Sequence, residues 1–116
     1  MPHIRVETTA DLPENGNIPD ILEALVERLC SFDSVDPKAV KAYHHLRANW
    51  SMGAGAPPGF AHCEVSILEG RAPDLRKKIA DGMYEEFRSH FDMSLENKEV
   101  GITLELREMA KDGYRK

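Results

Sequence analysis

The chain has 116 residues, of which 41% are hydrophobic and 30% charged, so it is expected to form one globular domain. Its net charge of -5 argues against a general nucleic-acid binder, which needs clustered Lys and Arg. No apolar run reaches the roughly 20 residues of a membrane span. No leader pattern precedes the first charged helix, and Cys30 and Cys63 have no motif spacing, so a cytoplasmic protein with free thiols is expected.

The opening HIRVE alternates, with Ile4 and Val6 on one side and His3, Arg5 and Glu7 on the other. That is the pattern of a half-buried strand. A loop rich in Pro, Asn and Gly follows. IPDILEALVERLCSF is a predicted helix, because Ile18, Ile21, Leu22, Leu25, Val26, Leu29 and Phe32 form one apolar stripe. Pro19 suits its first turn, and Asp20 suits the positive end of its dipole. After the turn DSVDPK, AVKAYHHLRANW reads as a second strand. Val40, Ala42, His44 and Leu46 share one parity; Lys41, Tyr43, His45 and Arg47 share the other.

SMGAGAPPG concentrates Gly and Pro and is a loop. AHCEVSILEG is a third strand, with Cys63, Val65 and Ile67 facing away from His62, Glu64 and Ser66. APDLRKKIADGMYEEFRSHF is a second helix, opened by Pro73 and Asp74 and striped by Leu75, Ile79, Met83, Phe87 and Phe91. Gly82 lies inside it and costs about 1 kcal/mol against alanine; a close helix–sheet approach is one reason to keep it. VGITLELREM is a fourth strand, and a loose charged tail is expected from about residue 110.

The order β-α-β-β-α-β gives an α+β fold, a four-stranded sheet with two helices on one face. Each half contributes a parallel strand pair joined by a helix. The other sheet face is expected to carry His3, Arg5, Glu7, His62, Glu64, Thr103, Glu105 and Arg107. It is either solvent-exposed or the lining of a polar interior shared between subunits, and alternation does not choose between these.

His44, His45, His62 and Cys63 lack zinc-motif spacing, and neighbouring histidines on a strand point apart. The histidines are therefore read as packing residues of the polar face and Cys63 as a core thiol; Trp50 either caps a site or packs at a subunit contact, and is read as packing. Pro2 has two readings. It is a strand-edge residue, or, once Met1 is removed, a secondary amine able to act as a base.

The start MPHIRVE, the WSMG stretch at Trp50–Gly53, the strand AHCEVSILEGR and the helix ending in SHF resemble the 5-carboxymethyl-2-hydroxymuconate isomerase family. That family belongs to the tautomerase superfamily, with 4-oxalocrotonate tautomerase and macrophage migration inhibitory factor. The likeness runs from Pro2 to about Met109. It implies a homotrimer whose sheets surround a central channel, with sites near subunit boundaries. It also implies that no metal or organic cofactor is used, and that the amino-terminal proline is the base. The reaction it implies converts a small unsaturated, carboxylate-bearing enol to its keto tautomer, as in bacterial breakdown of aromatic acids.

Pro2 matches the family's base, and Arg71 matches an arginine that binds substrate carboxylate. The family's second arginine is not matched. Anchoring on Trp50 puts Lys41 there, with Arg47 the nearest arginine of the same parity. Lysine keeps the charge but loses the planar fork. Tyr43, of that same parity, is a candidate hydrogen-bond donor to substrate. Two other readings remain open: a non-catalytic ferredoxin-like module that binds ligands or self-associates, and a hydratase or dehalogenase using the same proline.

Overall fold

The computed structural model describes residues 2–116. Strand β1 (His3–Thr9) is followed by a 3-10 turn (Pro13–Asn17) and helix α1 (Ile18–Cys30). A second 3-10 turn (Pro37–Ala39) leads into β2 (Lys41–Arg47), and β3 (Gly59–Leu68) follows a loop. Helix α2 (Pro73–Ser89), a short α3 (Asp92–Glu96) and β4 (Val100–Met109) complete the chain. The sheet order is β2-β1-β3-β4. β1 runs parallel to β2 and β3 parallel to β4, while β1 and β3 pair antiparallel at the centre. The α+β architecture and the β-α-β-β-α-β order are thus those read from the sequence.

The apolar parity of each strand faces the helices. Ile4, Val6, Ala61, Cys63, Val65 and Ile67 are fully buried there. They pack against Ile21, Leu25 and Leu29 of α1 and Ile79, Met83 and Phe87 of α2, with Phe91 edge-on to Phe87 at 5.2 Å. The edge strands are less covered: Ile102, Leu104 and Leu106 of β4 are half-buried, and Leu46 of β2 is 53% exposed.

Four features differ from the sequence reading. The second helix stops at Ser89, two residues short of the reading, and DMSLE, given no element in the sequence, forms a further short helix, α3. Its five residues are too few to show a periodic stripe; Ser94 Oγ pins it to Glu14 at 2.7 Å. Gly82 answers to a helix–helix approach, not a helix–sheet one, since a Cβ there would meet Arg28 Nη2 of α1 at 3.0 Å and Phe32 Cζ, just past the end of α1, at 3.1 Å.

His44, read as polar-face packing, lies on the helix side. Thr8 donates to Asn15 Oδ1, so its hydroxyl accepts from His44 Nε2 at 2.7 Å. The segment after 110, read as loose, turns back and packs Tyr114 against His3. Trp50 is tied to its own loop, its Nε1 donating to Pro58 O at 2.8 Å.

The uncovered sheet face carries a continuous ladder of alternating charge. Arg47 meets Glu7 at 2.7 Å, Glu7 meets Arg5 at 3.8 Å, and Arg5 meets Glu64 at 3.1 Å. Glu64 then meets Arg107 at 3.5 Å, and Arg107 meets Glu105 at 3.9 Å. The ladder crosses all four strands. Burial pushes the Glu7 carboxyl up, but the hydrogen bond and charge of Arg47, with Arg5 and His62, outweigh it and leave it below its ordinary value.

Candidate active site

Strand pairing decides where Pro2 lies. His3 pairs with Ser66, so the start of β1 meets the end of β3. His3 also pairs with Lys41, and the Pro2 carbonyl accepts from Lys41 N at 3.3 Å, so the turn before β2 lies alongside. Pro2 is buried at this junction.

It lines a cavity of about 430 Å³ together with Ser34, Asp36, Lys38, Ala39, Leu68, Arg71 and Lys116. Four separate stretches of chain build it: the strand start, the α1–β2 connection, the end of β3 with its following loop, and the carboxy-terminal segment.

Arg71 enters from the β3–α2 connection, just after Gly70. That glycine has φ +118, a conformation side chains resist. The guanidinium then bridges two walls. Nε donates to Ser34 Oγ at 3.1 Å, Nη2 to Ser34 O at 2.9 Å, and Nη1 to Leu68 O at 3.1 Å. All three acceptors are neutral. Among the described residues no carboxylate lies within 4.0 Å of it, so its positive charge is uncompensated by an ion pair.

The cavity's other charged side chains are Lys38, Lys116 and Asp36, whose Oδ1 accepts from Lys38 N at 3.1 Å. Arg71 is the lining cation whose side chain is fixed in place by neutral oxygens with no carboxylate partner among the described residues. Screening at cellular salt acts beyond roughly 8 Å, so the local balance governs a bound anion.

Of the residues singled out in the sequence, the structure brings Pro2 and Arg71 together. Lys41, Tyr43 and Arg47 point to the uncovered sheet face and do not line the cavity. Lys41 Nζ donates to Ala39 O at 3.3 Å, Arg47 is paired with Glu7, and Tyr43 stands edge-on between His3 and His45. The expected removal of Met1 lies outside the described residues. Cys63 is fully buried, and burial followed by the charge of Glu64 pushes its thiol up to about 12, so it stays protonated. Among the described residues no three His, Cys, Asp or Glu side chains are grouped to hold a metal ion.

Sequence reasoning missed Ser34, Asp36, Lys38 and Lys116. They sit in connections, where no periodicity exists. The only available signal was that functional side chains concentrate in loops set by a rigid scaffold.

The family model for 5-carboxymethyl-2-hydroxymuconate isomerase matches residues 2–116. The chain belongs to that family. Solved structures agree at the level of the fold. A 5-carboxymethyl-2-hydroxymuconate isomerase from Deinococcus radiodurans R1 superposes with a TM-score of 0.90 at 23% identity, covering 99% of this chain and 87% of that one. A fused 4-OT solved as a symmetric trimer gives 0.68 at 19% identity, covering 94% and 86%. A macrophage migration inhibitory factor-like protein from Entamoeba histolytica gives 0.65 at 13% identity, covering 99% and 94%. No curated protein sequence gives a match. This member of the 5-carboxymethyl-2-hydroxymuconate isomerase family thus shares its fold with all three structures.

Proposed function

We propose that the protein is a cofactor-independent keto–enol isomerase acting on a small unsaturated carboxylic acid. Pro2 is the base and Arg71 the carboxylate anchor. The observation that carries the reading is that a buried Pro2 and a carboxylate-free Arg71 line one cavity.

With Met1 removed, Pro2 presents a secondary amine. An ordinary α-amino group titrates near ~8, and proline's is intrinsically more basic. Burial and nearby cations both favour its neutral form, because each makes an added positive charge costlier. The neutral nitrogen takes the enol O–H proton, leaving a conjugated dienolate whose charge the cavity's cations stabilise. The protonated nitrogen then returns that proton to carbon. The carbonyl forms, the double bond shifts, and Pro2 is neutral again. One base poised near the working pH serves both steps, which contributes about 10²–10⁴-fold.

The same reading takes the protein as a cytoplasmic homotrimer in which the uncovered sheet faces line a polar interior. The charge ladder supports this, as does the half-burial of Glu7 and Glu64 within a single chain. Lys41, Tyr43 and Arg47, on that face, are then available to a neighbouring subunit's site. No helix among the described residues is long and apolar enough to cross a membrane.

The test is turnover of a phenylpyruvate-type enol and a muconate-type enol by wild type and Pro2→Ala, with mass spectrometry of the amino terminus. The expected result is a processed terminus and a fall of about 10²-fold or more in kcat for Pro2→Ala. A retained methionine makes the nitrogen an amide without basicity. That finding, or unchanged turnover in the variant, overturns the proline base and favours a non-catalytic binding module.

A further inference from the structure

Arg71 is a long side chain on a connection, the kind that ordinarily samples several rotamers. Fixing such a guanidinium at the moment of binding costs side-chain entropy, unless the fold has fixed it beforehand. Here the fold has done so. Nε donates to Ser34 Oγ and Nη2 to Ser34 O, so one residue takes both contacts along the Nε edge, while Nη1 donates to Leu68 O. A guanidinium has five N–H groups. These three bonds leave one on each terminal nitrogen.

Ser34 lies 37 residues before Arg71, and it is itself braced. The next residue, Val35, is buried, and its N–H donates to Phe32 O at 3.0 Å. Asp36 then caps the following 3-10 turn by accepting from Lys38 N. Ser34 thus stands on a fixed corner between α1 and β2. The other tether, Leu68, is the last residue of β3. Ser34 is exposed, so water could satisfy its hydroxyl equally well; the bond to Arg71 is not forced by burial. Both residues line the cavity that holds Pro2.

We propose that Ser34 is the positioning residue for Arg71 in substrate binding. By occupying the Nε edge it reserves the terminal pair of N–H groups, one on Nη1 and one on Nη2, for the two oxygens of one carboxylate. Paired contacts of that kind fix the orientation of a carboxylate as well as its place. The role of the serine is indirect, through the arginine. The assignment rests on the reading of Arg71 as the carboxylate anchor.

The test is a double-mutant cycle read by titration calorimetry on the full chain with its native amino terminus. The probes are sorbate, a conjugated monocarboxylate, and sorbyl alcohol, its neutral counterpart. Ser34→Ala removes the hydroxyl alone and is expected to weaken sorbate binding about five-fold, the net contribution of one hydrogen bond. Ser34→Thr, which returns a hydroxyl, recovers the affinity. Ser34→Asp sets a carboxylate beside the guanidinium and loses at least as much as Arg71→Ala, about ten-fold. In the Arg71→Ala background Ser34→Ala changes nothing further, because positioning has nothing left to act on. The alcohol binds equally to every variant. A bond that merely tied two connections together would lower the unfolding midpoint and leave sorbate affinity where it was.

Wild-type sorbate affinity in Ser34→Ala overturns the assignment. So does a loss of the same size in the Arg71→Ala background, a matching loss for the alcohol, or a wild type that does not bind sorbate. Undiminished affinity in Arg71→Ala sinks the anchor and the positioning role with it. An affinity that depends on Arg71 but ignores Ser34 sinks the positioning role alone and leaves the isomerase reading standing.

Discussion

At the scale of single residues, the charges that matter are those with no partner of opposite sign. Arg71 is held by neutral oxygens of Ser34 and Leu68, so its position is fixed while its charge stays available. Arg71→Ala is therefore expected to raise KM for a carboxylate substrate about ten-fold, the range of a charge-assisted hydrogen bond, and to change kcat much less. Steady-state kinetics checks this, and an unchanged KM removes Arg71 from the site. His44 makes the opposite case, a titratable group kept neutral. Burial, then the neighbouring charge of His45, lowers its pKa below 6.5. The unfolded chain therefore binds the proton more readily than the folded one. Stability is full above 6.5 and is lost as pH falls from there toward the folded value. Urea denaturation on either side of 6.5 should show the loss, and His44→Gln should flatten it; an equal slope in both proteins would contradict a half-buried imidazole held neutral. The sequence revealed Pro2 and Arg71 because each stands in a recognisable stretch. It did not reveal the half-buried setting of His44, since a histidine on an apolar parity looks the same whether its partner is Thr8 or water.

At the scale of elements, alternation and helical stripes were enough for both long helices and all four strands, because burial on one face imposes a period. Connections obey no such rule. The 3-10 turns, α3 and the returning tail are held by particular hydrogen bonds between residues far apart in sequence, such as Ser94 to Glu14 and Tyr114 to His3. The start of β3 is a further instance. Gly59 is buried, and a Cβ there would lie 2.6 Å from Thr9 Oγ1 and 2.8 Å from Asp11 Oδ1. Thr9 is itself fully buried, and its hydroxyl accepts from Phe60 N at 3.1 Å, so it has little room to yield. Gly59→Ala is expected to destabilise the protein by about 1–3 kcal/mol through overpacking. The midpoint of thermal or denaturant unfolding measures it, and a variant as stable as wild type would mean that the β1–α1 connection shifts freely.

At the scale of the whole molecule, one sheet face is sealed by helices and the other is open but not featureless. Three arginines and three glutamates alternate across it in contact order, from Arg47 at one edge to Glu105 at the other. Isolated surface pairs contribute little, at most about 1 kcal/mol each, so six linked charges are a weak device for stabilising a monomer. They make more sense where water is partly excluded, since attraction between opposite charges strengthens as the surroundings become less polar. Self-association through this face would supply that condition, and sequence alternation does not separate it from simple exposure. Arg5 is the sensitive position, because it lies between Glu7 and Glu64, and its Nε is buried with no hydrogen-bond partner. Arg5→Glu would set three carboxylates side by side in every chain, and would repeat that clash around any shared interior. Light scattering and native mass spectrometry are expected to give three chains per particle for wild type and smaller particles for Arg5→Glu. Turnover should fall with assembly if sites are completed at subunit boundaries. A monomeric wild type with full turnover would return the ladder to an ordinary solvated surface, and would leave Lys41, Tyr43 and Arg47 with no site to serve.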